Sequence, residues 1–169
     1  MPPVRLHEPV GGRRLHPARG REDRGGRQVT GAPRLAATGA GDVAAVRAQA
    51  VAYCEALHHA RADVLEAMCD AGFAMRAPAT TGAAEAGQDP LRWDRATFTA
   101  RVAARDPFPG DPSFEILSVD VTGDIAQVRL WVDVPPRRYE DFLGFVRTGA
   151  DWRLATKLFR TARGPALEG

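Results

Sequence analysis

Apolar and polar side chains alternate with a period of two along the C-terminal half of the chain. Leu117, Val119 and Val121 alternate with polar residues, and after Thr122-Gly123 every second residue from Ala126 to Val134 is again apolar. Successive side chains of a strand point to opposite sides of a sheet, so this period indicates half-buried strands. The pattern predicts four strands, at 114–121, 124–134, 138–147 and 151–160. Short breaks between consecutive strands favour an antiparallel meander.

The segments before the meander follow helical spacing instead. Apolar residues recur every three or four positions over 43–57, which predicts a first helix with Asp42 as its N-cap. A second, shorter helix is predicted over 63–69. In that segment Asp63 and Glu66 have the spacing of a capping box. The apolar residues of both helices predict one face turned toward the sheet.

A third helix is predicted to begin at Asp94. Trp93 before this N-cap and Phe98 after it have the spacing of a hydrophobic staple. A short strand is predicted over 73–76. The stretch 77–92 is rich in Ala, Thr, Gly and Pro and has no periodicity, so we predict a mobile loop there. Helices segregated from an antiparallel sheet predict an α+β domain.

The positive charge of the chain is concentrated at its start. Residues 1–41 carry eight Arg and three acidic residues, a balance of +5, whereas residues 42–169 carry 15 basic and 18 acidic residues, a balance of −3. The first segment has no aromatic residue, and we predict a disordered extension over 1–41. It is either an arm for an acidic partner or an extension without function. We predict a domain over 42–162 and a tail over 163–169, with no binding of nucleic acid.

Several classes of protein lack support in the sequence. No apolar run is long enough for a membrane span or a signal peptide, so we expect a cytoplasmic protein that does not enter membranes. Cys54 and Cys69 lie in apolar helical stretches, and we predict reduced core thiols. No dinucleotide fingerprint, phosphate-binding loop or metal-ligand spacing is present, and we therefore predict no cofactor and no metal.

Asp141 and Lys157 form the first candidate for chemistry. Lys157 is the only lysine of the chain, and a lysine in an apolar cavity can act as a base, which an arginine cannot. Asp141 would hold the lysine charged or act as a base itself; the alternative is an ordinary cross-strand ion pair. A two-residue turn at Gly149-Ala150 puts the two charges on opposite faces of the sheet, whereas a three-residue turn with a bulge brings them together.

Aromatic and sulfur-containing side chains supply the second candidate, an apolar ligand pocket. Tyr53 and Tyr139 are the only tyrosines, and each could donate a hydrogen bond to a ligand. Six further residues either wall the same pocket or form plain core: Met75, Trp93, Phe98, Trp131, Phe142 and Phe159.

The order of these motifs resembles the nuclear transport factor 2-like superfamily, and within it the "putative lumazine-binding" group. The resemblance covers about residues 43–161. It rests on five motifs: Tyr53-x-Glu55, Trp93-Asp94-x-x-x-Phe98, Ser118 to Ile125, Tyr139-x-Asp141-x-Leu143 and Trp152-Arg-Leu-x-x-Lys157-x-Phe159.

The resemblance implies a cone-shaped α+β fold, in which three N-terminal helices pack on a curved antiparallel sheet that is open at one end. It implies a small, partly aromatic ligand and a homodimer through the sheet. Two alternatives remain open, a lyase or isomerase with an Asp/Tyr/Lys constellation and a non-catalytic dimerising module, because the fold does not select a function. The isomerase-like relatives place a carboxylate where this chain has Met75-Arg76.

Overall fold

The described part of the chain forms three helices and one six-stranded sheet. The structure, a computed structural model, describes residues 39–78, 90–165 and 167. The helices are α1 (Ala40–His58), α2 (Ala62–Met68) and α3 (Arg95–Ala103). The strands are β1 (Cys69–Ala77), β2 (Leu91–Asp94), β3 (Phe114–Thr122), β4 (Ile125–Val134), β5 (Arg137–Thr148) and β6 (Asp151–Arg163). This composition confirms the predicted α+β class.

The strands lie in the order β2-β1-β6-β5-β4-β3. Strands β3 to β6 form the predicted antiparallel meander. Strand β1, however, pairs with β6 in parallel, so the sheet is mixed and the prediction of a purely antiparallel sheet is wrong for this pair of strands. A tight hairpin forces an antiparallel pair, but β1 and β6 are separated by most of the domain, so no turn constrains their direction.

The core lies between α1 and the inner face of the sheet. One stripe of α1 is fully buried, at Val46, Ala50, Tyr53 and Cys54. The helix lies against β3 and β4, where every second residue of β4 from Ala126 to Val132 is buried. Within the described residues, no helix has the length and apolar character needed to cross a membrane.

Both cysteines are free and buried, as predicted. Burial is the largest cause that raises the pKa of the Cys69 thiol, to about 12. The pKa of Cys54 is raised further, again mainly by burial and then by the charge of Asp141. Because a thiolate rather than a thiol reacts, both residues act as core side chains.

Two predicted helix caps are wrong. Helix α1 begins at Ala40 with Gly39 as its N-cap, and Asp42 lies in the first turn, where it pairs with Arg147. The N-cap of α2 is Arg61, which makes no side-chain capping bond. Asp63 does not close a capping box because its carboxylate accepts from Arg61 at 3.2 Å instead. A charged neighbour two residues away competes successfully for the carboxylate.

The start of α3 follows the prediction. Asp94 is the N-cap, and its Oδ1 accepts a hydrogen bond from the Thr97 amide at 2.8 Å. The hydrogen bonds from Thr97 are the main cause that lowers the pKa of Asp94. The carboxylate is therefore held as a charged acceptor at the positive end of the helix.

The predicted loop over 77–92 is wrong at both ends. Ala77 is the last residue of β1, which contains the predicted strand 73–76. Leu91 and Arg92 belong to β2, which pairs with β1. With only four residues, β2 is too short to show a period in the sequence. The segment 79–89 of the predicted loop lies outside the described residues, as does most of the predicted extension over 1–41.

Candidate functional site

The register between β5 and β6 decides where Asp141 and Lys157 point. The connection is a two-residue turn, because Thr148 pairs with Asp151. In an unbroken ladder this turn would place the two charges on opposite faces. Instead Asp141 pairs with Phe159, and Lys157 pairs with Leu143, so both point to the inner face.

A bulge inside β6 produces this register. Phe145 pairs with Leu154, whereas the preceding Gly144 pairs with Thr156, so Ala155 is an extra residue on β6. An extra residue in one strand inverts the facing of every side chain beyond it. The prediction that a bulge would unite the charges is therefore right, but the bulge lies within the strand and the turn keeps two residues.

Gly144 gives this bulge the room that it needs. A Cβ atom built at Gly144 would overlap the hydroxyl of Thr156, its partner across the ladder. The close approach of the two strands next to the bulge therefore requires glycine at this position.

Tyr53, Asp141 and Lys157 form a compact polar cluster on the inner face. The Lys157 Nζ lies 2.8 Å from Asp141 Oδ2 and donates to the Tyr53 hydroxyl at 2.5 Å. The Tyr53 hydroxyl in turn donates to the same Oδ2 at 3.0 Å. All three residues are buried, with whole-residue exposures of 0%, 1% and 4% for Tyr53, Asp141 and Lys157. Helix α1 supplies the tyrosine, and the adjacent strands β5 and β6 supply the two charges.

Burial governs the electrostatics of the cluster. It is the largest cause that raises the pKa of Tyr53 well above 10, and the negative charge of Asp141 is the next. Tyr53 is therefore a protonated donor at neutral pH. The Lys157 ammonium also faces aromatic rings, with the Phe159 centroid at 4.7 Å and the Tyr139 centroid at 5.4 Å. Among the described residues, nothing donates to the second oxygen of Asp141, Oδ1.

A cavity of about 380 Å³ opens beside this cluster. Its wall is mostly apolar and includes Leu57 of α1, Val102 of α3 and Val134 of β4. Lys157 lines the cavity, whereas neither Tyr53 nor Asp141 does. Lys157 is therefore the member of the cluster that contributes to the cavity wall.

The structure places five of the eight predicted pocket residues on the wall of this cavity: Met75, Trp93, Phe98, Tyr139 and Phe159. Tyr53 lies behind Lys157, where it holds the ammonium. Trp131 and Phe142 do not line it, and the prediction for them is wrong.

Strand alternation explains both errors. Leu130 and Val132 are buried on the inner face of β4, so Trp131 between them points outward, where its Nε1 donates to Glu115 at 3.0 Å. Phe142 follows Asp141 in β5 and is 42% exposed on the outer face. Without the register, the sequence pattern did not say which alternate set of residues points inward.

Sequence reasoning missed the arginines of the cavity. Arg101, Arg105 and Arg137 all line it. The Arg101 guanidinium lies 4.2 Å from the Trp93 ring centroid, and that of Arg105 lies 4.3 Å from the Phe108 centroid. Helical spacing carried a usable signal for Arg101, since it follows Phe98 by three residues within α3 and so lies near the same face of the helix.

The described residues contain no group of three His, Cys, Asp or Glu side chains that could hold a metal ion. Among the described histidines, His58 is buried and its Nε2 lies 2.9 Å from the Gly110 carbonyl oxygen. The neighbouring His59 ring lies edge-on to it, so the two rings do not converge on one point.

Solved structures of similar fold come from several bacteria. An NTF-2-like protein of unknown function from Silicibacter pomeroyi is 25% identical, with a TM-score of 0.62 over 72% of this chain and 96% of that chain. An NTF2-like protein of unknown function from Shewanella baltica is 15% identical, with a TM-score of 0.64 over 75% and 98%. A ketosteroid isomerase-like protein from Erwinia carotovora atroseptica is 16% identical, with a TM-score of 0.56 over 75% and 100%. At 15% and 16% identity, the last two similarities show only that the folds are alike.

No protein with a curated description matches the chain. A family model described as "putative lumazine-binding" matches residues 41–160, which is most of the chain and contains the polar cluster and every described residue of the cavity wall except Leu167. The chain therefore belongs to the "putative lumazine-binding" family of the nuclear transport factor 2-like superfamily.

Proposed function

We propose that the protein binds a small, partly aromatic molecule in the cavity beside Lys157. The observation that carries the proposal is the cavity itself, about 380 Å³ in volume and walled mainly by apolar and aromatic side chains. Ligand pockets of this kind combine an apolar wall with a few polar groups that fix the orientation of the ligand. Lys157 supplies such a group, because its ammonium is held in place by Tyr53 and Asp141.

The family description supports a small molecule as the ligand and motivates lumazine and other pterins as the first compounds to test. Thermal unfolding would be measured against a panel of pterins, flavins, steroids and polyketides. We expect the midpoint to rise with the concentration of a ligand that binds the folded state alone. A flat response to every compound would contradict the proposal for these classes.

A variant that fills the cavity provides the matched control. Val134→Trp places a large side chain on the cavity wall, whereas Val146→Trp places it on the outer face of β5. We expect Val134→Trp to abolish the ligand-dependent shift and Val146→Trp to keep it. If both variants keep the shift, the ligand binds elsewhere.

An enzyme of the same fold, a lyase or isomerase, is a second candidate. The buried contact of Lys157 with Tyr53 and Asp141 favours it, since such clusters occur at catalytic sites. Yet Asp141 lies behind Lys157, so among the predicted catalytic pair only the lysine meets a ligand. Compounds that bind would be incubated with the protein and then recovered. Unchanged compounds support the binder, and conversion that Lys157→Met abolishes supports the enzyme.

We also propose that the protein forms a homodimer through the outer face of its sheet. Phe142 and Leu158 lie directly opposite each other on β5 and β6 and are 42% and 55% exposed, and Ile125 is 60% exposed. An exposed apolar group of this kind suits a self-complementary interface. Light scattering should give twice the mass of the chain, and Phe142→Glu should reduce it to that of a monomer. A wild-type monomer would contradict the proposal.

The cytoplasmic location stays a prediction.

A further inference from the structure

The charged side chains on the cavity wall all have the same sign. Arg101, Arg105, Arg137 and Lys157 line the cavity, and no Asp or Glu is present among its described lining residues. The charge of Lys157 is balanced by Asp141 behind it. The three arginines add positive charge to a wall that is otherwise mostly apolar. Such a cavity attracts an anion and repels a cation.

Arg105 is the cation whose contacts leave its charge uncompensated. Its guanidinium donates to the main-chain carbonyl oxygens of Leu57 and Asp106, the latter at 3.2 Å. Among the described residues, it forms no ion pair with a carboxylate. Burial is the main cause that lowers the pKa of Arg105, so its surroundings oppose the charge that it carries. A negative group in the cavity would supply the missing partner.

Tyr139 provides a hydrogen-bond donor at the same part of the wall. Its side chain is mostly buried and packs edge-on against the Phe159 ring, at 5.4 Å between centroids. Its hydroxyl makes no hydrogen bond to any described residue. Burial raises its pKa to about 12, while the positive charges of Arg137 and Arg105 act against that rise. Tyr139, Arg105 and Arg137 all line the same cavity.

Arg105 and the Tyr139 hydroxyl together form a candidate site for an anionic group, and it adjoins an apolar surface that can contact an aromatic ring. A carboxylate that accepts from a guanidinium and from a hydroxyl makes two charge-assisted hydrogen bonds. The neighbouring rings of Phe159 and Trp93, with Met75, offer apolar surface for a flat group. Building on the proposed function, we propose that the ligand is an aromatic acid whose anionic group is bound by Arg105 and the hydroxyl of Tyr139.

Pairs of acids and neutral amides test this inference directly. Benzoate, naphthoate and anthracenecarboxylate would each be titrated calorimetrically beside the corresponding amide, which keeps the ring and removes the charge. We expect at least one acid to bind roughly 10- to 100-fold more tightly than its amide, the range of one charge-assisted hydrogen bond. Arg105→Gln and Tyr139→Phe should each reduce this preference, because each weakens binding of the charged acid more than binding of the neutral amide.

Two further variants guard against indirect effects. Arg105→Lys keeps the positive charge and should keep part of the preference for the acid. Arg129→Gln removes an exposed arginine from the outer face of β4 and should change neither affinity. Thermal unfolding of each variant without ligand would confirm that the fold persists, and Tyr139→Phe tests the same subsite if Arg105→Gln does not fold.

The possible failures are distinguishable. If every amide that binds does so as tightly as its acid, or if both variants keep the full preference, the inference is wrong while the proposed function stands. If none of the six compounds binds and the wider panel also gives no shift, the proposed function is wrong and the inference falls with it.

Discussion

Two ion pairs join the same two strands, and they differ in their surroundings. Asp141–Lys157 bridges β5 and β6 on the inner face with 2.8 Å between charged atoms, and Glu140–Arg160 bridges them on the outer face at 2.7 Å. The inner side chains are 0% and 3% exposed, whereas the outer ones are 42% and 62% exposed. The contact distances are nearly equal, so the comparison isolates the effect of burial.

Burial changes what each pair contributes. Water solvates the outer charges almost as well apart as together, so that pair adds little to stability. The inner charges have lost their water, and each depends on the other and on Tyr53. The outer pair is therefore an ordinary feature of a sheet surface, whereas the inner pair fixes an ammonium at the wall of a cavity.

Breaking the inner pair should have the largest effect. Lys157→Met leaves Asp141 buried with only the Tyr53 hydroxyl as a donor. Removing one partner of a buried pair typically costs about 3–5 kcal/mol of the free energy of unfolding. Urea unfolding at neutral pH would measure the loss.

The double variant Asp141→Leu/Lys157→Met is the control for this prediction. It removes both charges and fills the space with apolar atoms, so its stability should return close to that of the wild type. If the double variant loses as much as Lys157→Met, packing rather than an uncompensated charge explains the loss.

Altering the bulge should have the next largest effect on stability, because the bulge brings Asp141 and Lys157 to the same face of the sheet. In Gly144→Ala the new Cβ overlaps the Thr156 hydroxyl. We expect a loss of about 1–3 kcal/mol, the range for overpacking at a closely packed position. Chemical unfolding of Gly144→Ala and of Gly144→Ala/Thr156→Ala would test the cause. The double variant removes the overlapping hydroxyl and should recover most of the loss; no recovery would place the strain elsewhere.

The register between β5 and β6 could not be predicted from the sequence, although the strands themselves could. Alternating apolar residues predicted each strand of the meander, because that period is a property of one strand and can be read locally. The bulge at Ala155 has no such local mark. It depends on the contact between Gly144 and Thr156, which belong to different strands and meet only in the folded sheet.

For the candidate site, residue type and strand position predicted some of the residues, but not the face of the sheet on which they lie. Asp141 and Lys157 could be named from residue type and strand position, but their common face could not. Phe142 and Trp131 were assigned to the pocket because they are large and apolar, yet the register turns them outward. Arg105 was missed because residue type alone ranks an arginine as a surface group, although its position just after α3 places it on the cavity wall.

Alkaline pH should weaken the fold through the same buried groups. Burial raises the pKa of Tyr139 to about 12 and raises the pKa of Tyr53 well above its ordinary value, while both tyrosines of the unfolded chain ionise near 10. Above pH 10 the unfolded state therefore holds fewer protons than the folded state, and stability falls as pH rises. The slope is about 1.4 kcal/mol per pH unit for each such group. The buried thiols of Cys54 and Cys69 act in the same direction.

Absorbance of tyrosinate during a pH titration measures this directly, because the chain has only two tyrosines. We expect no step near pH 10 in the folded protein and a steep rise when it unfolds at higher pH. Tyr53→Phe should make the stability less dependent on pH above 10. A normal tyrosine step in the folded wild type would show that at least one of the two tyrosines is open to water.

Breaking the outer pair should have the smallest effect. Arg160→Met removes the guanidinium that donates to Glu140 at 2.7 Å, but leaves Glu140 in contact with water. We therefore expect the free energy of unfolding to stay close to that of the wild type and to respond little to added salt, since exposed charges are screened. Urea unfolding at low and high salt, run beside Lys157→Met, would compare the two faces under one set of conditions. A loss equal to that of Lys157→Met would mean that position on β5 and β6, and not burial, determines what an ion pair contributes.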